Sequence, residues 1–150
     1  MHFCGLVYIK FRGEMKMHLS KLLKLVSSML FSLLIIACSS DVPTVSPNQA
    51  ADMLAKKQAI IVDVREQEES SEEYIEGALF IPLAQLESRL DELVAYKDRP
   101  IIVQCRSGRR SNIAGASLLK AGFKQVLNLD GGILAWNKQG LATVKGVVAN

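Results

Sequence analysis

The sequence predicts one α/β domain with a mostly parallel central sheet, and three features predict it. Apolar runs of strand length alternate with helix-forming segments between residues 46 and 145. Two of these runs, residues 59–64 and 101–104, are apolar at nearly every position, which is typical of parallel strands covered on both faces. The same stretch contains no internal repeat and no second composition block. Residues 46–145 are therefore expected to form a single domain.

The first half of the domain begins with a predicted helix, because Ser46 suits a helix cap and Pro47 suits the first turn. Asp63 and Arg65 end the strand that follows, and we expect them to form a structural ion pair. Residues 66–76 hold six glutamates, interpreted as a solvated acidic face. An amphipathic helix is then predicted from apolar side chains three or four residues apart. These side chains are Leu83, Leu86, Leu90, Leu93 and Val94.

The second half repeats the alternation. After the strand at 101–104, a short loop leads into a helix predicted over 112–122, with glycine suited to its C-terminus. A last strand is predicted over 125–129. A turn then leads into a short helix that places Trp136 in the core. Residues from Gly140 onward are predicted to be a tail.

Cys105 stands where the second buried strand ends, and it is the candidate nucleophile. Backbone N–H groups at a helix start are unpaired, and the helix dipole favours negative charge there. Arg106, Arg109 and Arg110 add positive potential. Both effects favour the thiolate, which is the reactive form of cysteine. The alternative, a buried cysteine that packs as a small hydrophobe, fits less well with so many cationic neighbours.

Residues 1–38 are predicted to be a removable leader. Three lysines precede the apolar stretch 25–37, which is shorter than a membrane-spanning helix requires. Met15 or Met17 is a more natural start for such a signal than Met1, so residues 1–14 carry no structural weight. Residues 39–45, rich in Ser, Pro, Thr and Val, are expected to form a flexible tether.

The end of the leader, Ile35-Ile36-Ala37-Cys38, resembles the lipobox of bacterial lipoproteins. The resemblance implies cleavage before Cys38 and diacylglycerol on its sulfur. Ser39, which stands where an aspartate would alter sorting, implies the outer membrane if the bacterium is Gram-negative. The expected location is the periplasmic face of a bacterial membrane, reached through an N-terminal lipid.

Removing the leader changes what the composition implies. Residues 1–38 hold five of the 18 Lys and Arg but one of the 15 Asp and Glu, so residues 39–150 carry a net charge of −1. The basic character of the whole chain is then no argument for binding nucleic acid. Both histidines, His2 and His18, also lie in the leader, which excludes a Cys-His dyad and a histidine-ligated metal. Cys105 is left as an unpaired thiol in an oxidising compartment, which chemistry explains better than packing.

Three ordered motifs between Ser46 and Gly140 resemble those of the rhodanese-like domain in its single-domain form. The motifs are Val62-Asp63-Val64-Arg65 with Gly77-Ala78 and Ile81-Pro82, then Cys105-Arg106-Ser107-Gly108-Arg109-Arg110-Ser111, then Leu129-Asp130-Gly131-Gly132 with Trp136. Two positions depart from the family pattern. Tyr74 stands where a histidine is usual, and Ser70 where an aromatic residue is common; both departures concern packing more than catalysis.

The resemblance implies a sulfurtransferase that moves sulfane sulfur from thiosulfate or a similar donor to a thiol or cyanide. Its nucleophile would be Cys105, which would carry the sulfur as a persulfide; no cofactor or metal is implied. The donor is expected to bind the loop residues, whose amides and guanidinium groups suit a small anion. These residues are Arg106, Ser107, Gly108, Arg109 and Arg110. Which arginine turns inward stays open at this point.

Two other functions are alternatives to sulfur transfer. A phosphatase or arsenate reductase of this fold needs a loop one residue longer, with arginine at the sixth position after the cysteine. That position is Ser111, so the loop is too short for a tetrahedral oxyanion. A non-enzymatic persulfide carrier or partner-docking module at the membrane surface is the second alternative.

Overall fold

The computed structural model describes residues 42–146; the predicted leader, Cys38 and the residues after Gly146 lie outside them. A parallel sheet of five strands has the order β1-β5-β4-β2-β3. The strands are β1 (Thr44–Val45), β2 (Ile60–Asp63), β3 (Leu79–Phe80), β4 (Ile101–Gln104) and β5 (Val126–Leu129). The helices are α1 (Pro47–Ala55), α2 (Gln67–Glu72), α3 (Arg109–Lys120) and α4 (Gly132–Lys138), with 3₁₀ segments at Leu83–Gln85 and Glu87–Tyr96. The predicted fold class is confirmed.

Helices cover both faces of the sheet. On one face Leu118 of α3 packs with Val103 of β4 in a cluster that also holds the leucines of the 3₁₀ segments. On the other face Trp136 of α4 packs with Ile102 and with Ala50 of α1. Burial on both faces explains why β2 and β4 read as nearly continuous apolar runs. Trp136 is a core residue, as predicted.

The N-terminus of α1 confirms the cap predicted at Ser46. The Ser46 side chain accepts a hydrogen bond from the backbone N–H of Gln49, and the Gln49 side chain accepts one from the backbone N–H of Ser46. This reciprocal pair satisfies two backbone donors that a helix start otherwise leaves unpaired. Pro47 occupies the first turn, where its missing N–H costs nothing.

The segment before α1 is part of the folded domain, so the prediction of a flexible tether is wrong for residues 42–45. Val42 is buried, and its N–H donates to Asn112 Oδ1 at 3.0 Å. Thr44 and Val45 then pair with β5 as an edge strand. A strand of two residues has no detectable periodicity, so the sequence pattern did not indicate it.

The predicted tail is also wrong for residues 141–144. The backbone N–H of Tyr74 donates to Val144 O, and the N–H of Val144 returns the bond to Tyr74 O, both at 2.8 Å. The indole N–H of Trp136 donates to Ala142 O at 3.0 Å. These residues close over α4 and connect it to the end of α2.

The predicted amphipathic helix over Leu83 to Val94 is two 3₁₀ segments instead, with a non-helical residue at Arg89. In a 3₁₀ helix, residues three apart lie on one face. Leu83 and Leu86 are three apart, as are Leu90 and Leu93, and the kink takes up the longer step between the pairs. Val94 falls off this face and is 53 % exposed, so its predicted burial was wrong.

Among residues 42–146, none of the helices has the length and apolar character needed to cross a membrane.

The ion pair predicted between Asp63 and Arg65 is confirmed and is almost fully buried. Two of the three side-chain nitrogens of Arg65, Nε and Nη2, donate to the Asp63 carboxylate, the shortest contact being 2.6 Å. Ser70 Oγ donates to Asp63 Oδ2 at 3.1 Å. Arg65 also donates to the backbone carbonyls of Glu69 and Glu73, at 3.3 and 2.7 Å. The pair therefore attaches α2 to the carboxyl end of the sheet.

Asp63→Asn is expected to lower the free energy of unfolding by about 3 kcal/mol, because it leaves the Arg65 charge buried without a counter-charge. Urea unfolding of the two proteins measures the difference. Asp98→Asn is the matched control, since Asp98 pairs with Lys124 and the two side chains are 76 % and 72 % exposed. The control should change stability by less than about 1 kcal/mol. Equal effects of the two substitutions would contradict the structural role of Asp63.

Candidate active site

The candidate site is built around Cys105, the residue that follows β4 at the carboxyl end of the sheet. Cys105 is 1 % exposed, and it is the only cysteine within the described range. Its sulfur accepts hydrogen bonds from the backbone N–H of Gly108, at 3.2 Å, and from Ser111 Oγ, at 3.3 Å. The loop thus turns its donors inward, onto one sulfur atom.

These donors change the acidity of the thiol. Burial alone raises the pKa of Cys105, because it removes water from the thiolate. Hydrogen bonds from the Ser111 hydroxyl and from the backbone N–H groups of Ser111, Ser107 and Gly108 more than offset this and bring the pKa below its usual value. This cup of hydrogen-bond donors, formed by Ser107, Gly108 and Ser111, therefore favours the thiolate, which is the nucleophilic form of the sulfur.

The shape of the loop depends on Gly108, which has φ of +94° and serves as the N-cap of α3. Only glycine adopts this backbone conformation without strain. The helix begins at Arg109, three residues before the predicted start at Asn112. Arg109, Arg110 and Ser111 are therefore in the first helical turn, and the backbone N–H of Ser111 is one of the donors to the sulfur of Cys105.

Asn128 of β5 supports the loop from behind and was missed by the sequence analysis. Its Nδ2 donates to Gly108 O at 3.1 Å, which orients the amide, and its Oδ1 accepts from Ser111 Oγ at 2.6 Å. Because Ser111 has a single hydroxyl proton, Asn128 Oδ1 and the sulfur of Cys105 compete for it, and a charged thiolate is the stronger acceptor. A polar residue inside the apolar run of β5 is the one sequence signal that could have indicated this role.

The start of α4 supports the loop from a third side. The N–H of Ile133 donates to Cys105 O at 2.9 Å, and the N–H of Leu134 donates to Arg106 O at 3.2 Å. Gly132 lies against the same two carbonyls, with no room for a side chain. The Gly-Gly turn, predicted only as a connection, is thus part of the site.

The three arginines have different surroundings. Arg106 and Arg109 are exposed and form no ion pair among the described residues. Ser107, between them on the loop, is also exposed. Arg110 is partly buried and pairs with Glu69 of α2, with Nη1–Oε2 and Nη2–Oε1 distances of 2.6 and 2.7 Å. The interpretation of residues 66–76 as a wholly solvated acidic face is therefore wrong at Glu69.

Ser111→Ala is expected to raise the pKa of Cys105, since it removes a donor to the thiolate and leaves the burial unchanged. The rate of alkylation of the thiol should then reach its midpoint at higher pH. At neutral pH the loss of one hydrogen bond to a charged group predicts about tenfold slower alkylation.

Ser117→Ala, two turns along the same helix, is the control for Ser111→Ala and should leave the alkylation profile unchanged. An unchanged profile in Ser111→Ala would show that the backbone amides alone set the acidity of Cys105.

Fold and site together define a class of protein: an α/β domain with a thiolate-stabilising loop between a central strand and its following helix. Residues 46–139 match the family model of the rhodanese-like domain. This chain belongs to the rhodanese-like family.

Similar proteins agree with this assignment. A sulfurtransferase of Allochromatium vinosum is 41 % identical over 85 residues, which cover 57 % of this chain and 78 % of that protein. A thiosulfate sulfurtransferase of Coxiella burnetii is 34 % identical over 92 residues, covering 61 % and 84 %. The crystal structure of a rhodanese-like domain protein from Staphylococcus aureus matches with a TM-score of 0.60 and 29 % identity, covering 67 % of this chain and 96 % of that one. A role in sulfur transfer in general follows.

Proposed function

We propose that this chain takes sulfane sulfur from thiosulfate or a similar donor onto Cys105 and passes it to a thiol or cyanide. The observation that carries the proposal is the buried sulfur of Cys105 inside a cup of hydrogen-bond donors that lowers its pKa. With 1 % of the residue exposed, only a small terminal atom of a donor reaches the sulfur. The terminal sulfur of thiosulfate is such an atom.

In the first half-reaction the Cys105 thiolate attacks the outer sulfur of thiosulfate. A new S–S bond forms at Cys105, the S–S bond of the donor breaks, and its electron pair leaves with sulfite. In the second half-reaction an acceptor thiolate or cyanide attacks the terminal sulfur of the persulfide, which restores the thiolate. The covalent intermediate predicts ping-pong kinetics.

The donors around Cys105 also suit the persulfide. The N–H groups of Ser107 and Gly108 and the first turn of α3 offer partial positive charge where the terminal sulfur becomes anionic. The side chains of Arg106 and Arg109, both exposed at the rim, attract an anionic donor from solution.

Intact mass spectrometry tests the proposal directly. After incubation with thiosulfate the chain should gain one sulfur atom, located at Cys105 by peptide mapping, and a thiol should remove it. No gain in mass would overturn the proposal.

A persulfide carrier or partner-docking module is the second candidate. It is favoured by Leu134, an apolar side chain that is 51 % exposed in a cavity it shares with Arg106. Such a residue suits contact with a partner protein. Catalytic formation of thiocyanate from thiosulfate and cyanide separates the two functions. A carrier would gain the sulfur but would turn over no faster than its variant lacking the cysteine.

We also propose that residues 1–38 are removed and that Cys38 carries lipid at the periplasmic face of a bacterial membrane, the outer membrane in a Gram-negative cell. Since Val42 belongs to the folded domain, four peptide units connect Cys38 to it, and they span at most about 14 Å. The domain would then lie close to the membrane surface. Incorporation of labelled fatty acid, lost in Cys38→Ser, tests the anchor; unlabelled wild-type chain would overturn it.

A further inference from the structure

The ion pair between Glu69 and Arg110 bears on which donors the site accepts. We infer that the site selects sulfane donors by charge, favouring monoanionic organic donors such as thiosulfonates and persulfides of small thiols over the thiosulfate dianion. Glu69 is the specificity-determining residue. The inference rests on the proposed function and names the substrate class for it.

Glu69 neutralises Arg110, which lies in the first turn of the helix that follows the cysteine loop. The two groups are joined by two short hydrogen bonds, and their side chains are 32 % and 28 % exposed, which limits screening by water. The bond to Arg110 is also the main reason that the pKa of Glu69 lies below its usual value. The carboxylate is therefore charged at neutral pH. Arg110 immediately precedes Ser111, whose hydroxyl lies 3.3 Å from the sulfur of Cys105. The hydrogen bonds to Glu69 are the main reason that the pKa of Arg110 lies above its usual value, and the charge on Cys105 adds to the same shift.

Glu69 is held in place by the core and is not a loose surface side chain. Arg65, itself bound to buried Asp63, donates to the carbonyl of Glu69 and, four residues on, to that of Glu73. These contacts secure both ends of the segment that carries the carboxylate. The core contacts of Arg65 therefore hold Glu69 where it pairs with Arg110.

The lining of the cavity beside the cysteine loop also favours a monoanionic organic donor over a dianion. It measures about 410 Å³ and is lined by Arg106, three glutamates, Arg65 and the apolar side chains of Ile133 and Leu134. The charge of Arg65 is already matched by Asp63. The carboxylate of Glu73 accepts from the neutral groups Asn137 Nδ2, at 2.7 Å, and Thr143 Oγ1, at 3.3 Å, and forms no ion pair among the described residues. An acidic and partly apolar wall suits an organic group and opposes a dianion.

Two donors of nearly the same shape separate charge from size. Methanethiosulfonate differs from thiosulfate in having a methyl group in place of one oxygen, and it carries one negative charge instead of two. In both cases the Cys105 thiolate attacks the terminal sulfur; the S–S bond breaks, and methanesulfinate or sulfite leaves with the electron pair. Within one protein the two donors react at different rates because their intrinsic reactivities differ. That difference cancels when the ratio of the two rates is compared between variants.

The test compares Glu69→Gln with Glu68→Gln in the full chain, using kcat/KM for both donors. Glu68 is exposed on the same helix and forms no ion pair among the described residues, so the two variants change net charge equally. Coulomb attraction to the freed guanidinium scales with the charge of the ligand. We expect Glu69→Gln to raise kcat/KM on the order of tenfold for thiosulfate and about threefold for methanethiosulfonate. Glu68→Gln should leave the ratio between the donors unchanged.

Equal donor ratios in the two variants would overturn the inference. A second comparison uses Arg110→Gln, which lacks the guanidinium: if adding Glu69→Gln to this variant still raised kcat/KM for thiosulfate, the inference would also be wrong. Glutamine keeps the size of Glu69, and thermal unfolding verifies that both variants fold. Failure of the proposed function has a different signature. In that case neither donor adds sulfur to Cys105 in the wild-type chain, and no ratio exists to compare.

Discussion

Cys105→Ser is expected to abolish sulfur transfer, lowering thiocyanate formation by at least about a thousandfold, because no covalent intermediate can form. Serine is close in size to cysteine, and its oxygen can accept the bonds that Gly108 and Ser111 now give to the sulfur. The fold should therefore persist. Circular dichroism and the thermal midpoint verify this in the same samples used for the kinetics.

The matched control is Ser117→Ala, further along α3 and beyond the loop, which should leave the activity unchanged. The mass gain with thiosulfate should likewise survive in Ser117→Ala and vanish in Cys105→Ser. Turnover that persisted in Cys105→Ser would mean that another group carries the sulfur, and the role proposed for the loop would be wrong.

Gly132→Ala is expected to destabilise the domain by about 4 kcal/mol or more and to abolish activity. A Cβ at this position would overlap Cys105 O and would lie 2.6 Å from both the carbonyl carbon and the oxygen of Arg106. These atoms are backbone, so relief requires the cysteine loop to move away from α4. Such a movement would break the bonds that Ile133 and Leu134 donate to the loop. Urea unfolding and the thiocyanate assay measure the two effects.

Gly140→Ala separates this clash from the cost of backbone conformation. Gly140 has φ of +68°, close to the +59° of Gly132, but no atom lies within 4 Å of the position of its Cβ. The control should lose only about 1–2 kcal/mol, the penalty for a left-handed residue, and should keep its activity. Comparable losses in the two variants would show that conformation, not contact with the loop, explains the glycine at 132.

The comparison of Asn128 with Cys105 shows what a sequence reading can reach. Cys105 was predicted because its neighbours in the chain, a strand before it and cationic residues after it, already describe a site. Asn128 lies 23 positions further on, and its role depends on contact with Gly108 and Ser111 across two elements. Contacts of this kind leave no local pattern, apart from a polar residue within an apolar strand.

The ion pair formed by the acidic segment, residues 66–76, also depends on a contact between residues far apart in the sequence. Six glutamates in eleven residues indicate exposure, and four of them are exposed. The sequence could not single out Glu69, because its partner Arg110 is 41 residues away and meets it only when α2 packs beside the cysteine loop. The edge strand at Thr44–Val45 was missed for a related reason. Its pairing with β5 is defined by its partner and not by its own two residues.

The sequence by itself determined the alternation of strands and helices, the nucleophile and the loop that carries it, because these depend on residues that are neighbours in the chain. Only the tertiary structure decided which side chains tune that nucleophile: Ser111 with Asn128 at the sulfur, and Glu69 at the charge of Arg110. The physical reason is that hydrogen bonds and ion pairs act over a few ångströms in space. Residues far apart in sequence come within that range only when the sheet and its helices have packed.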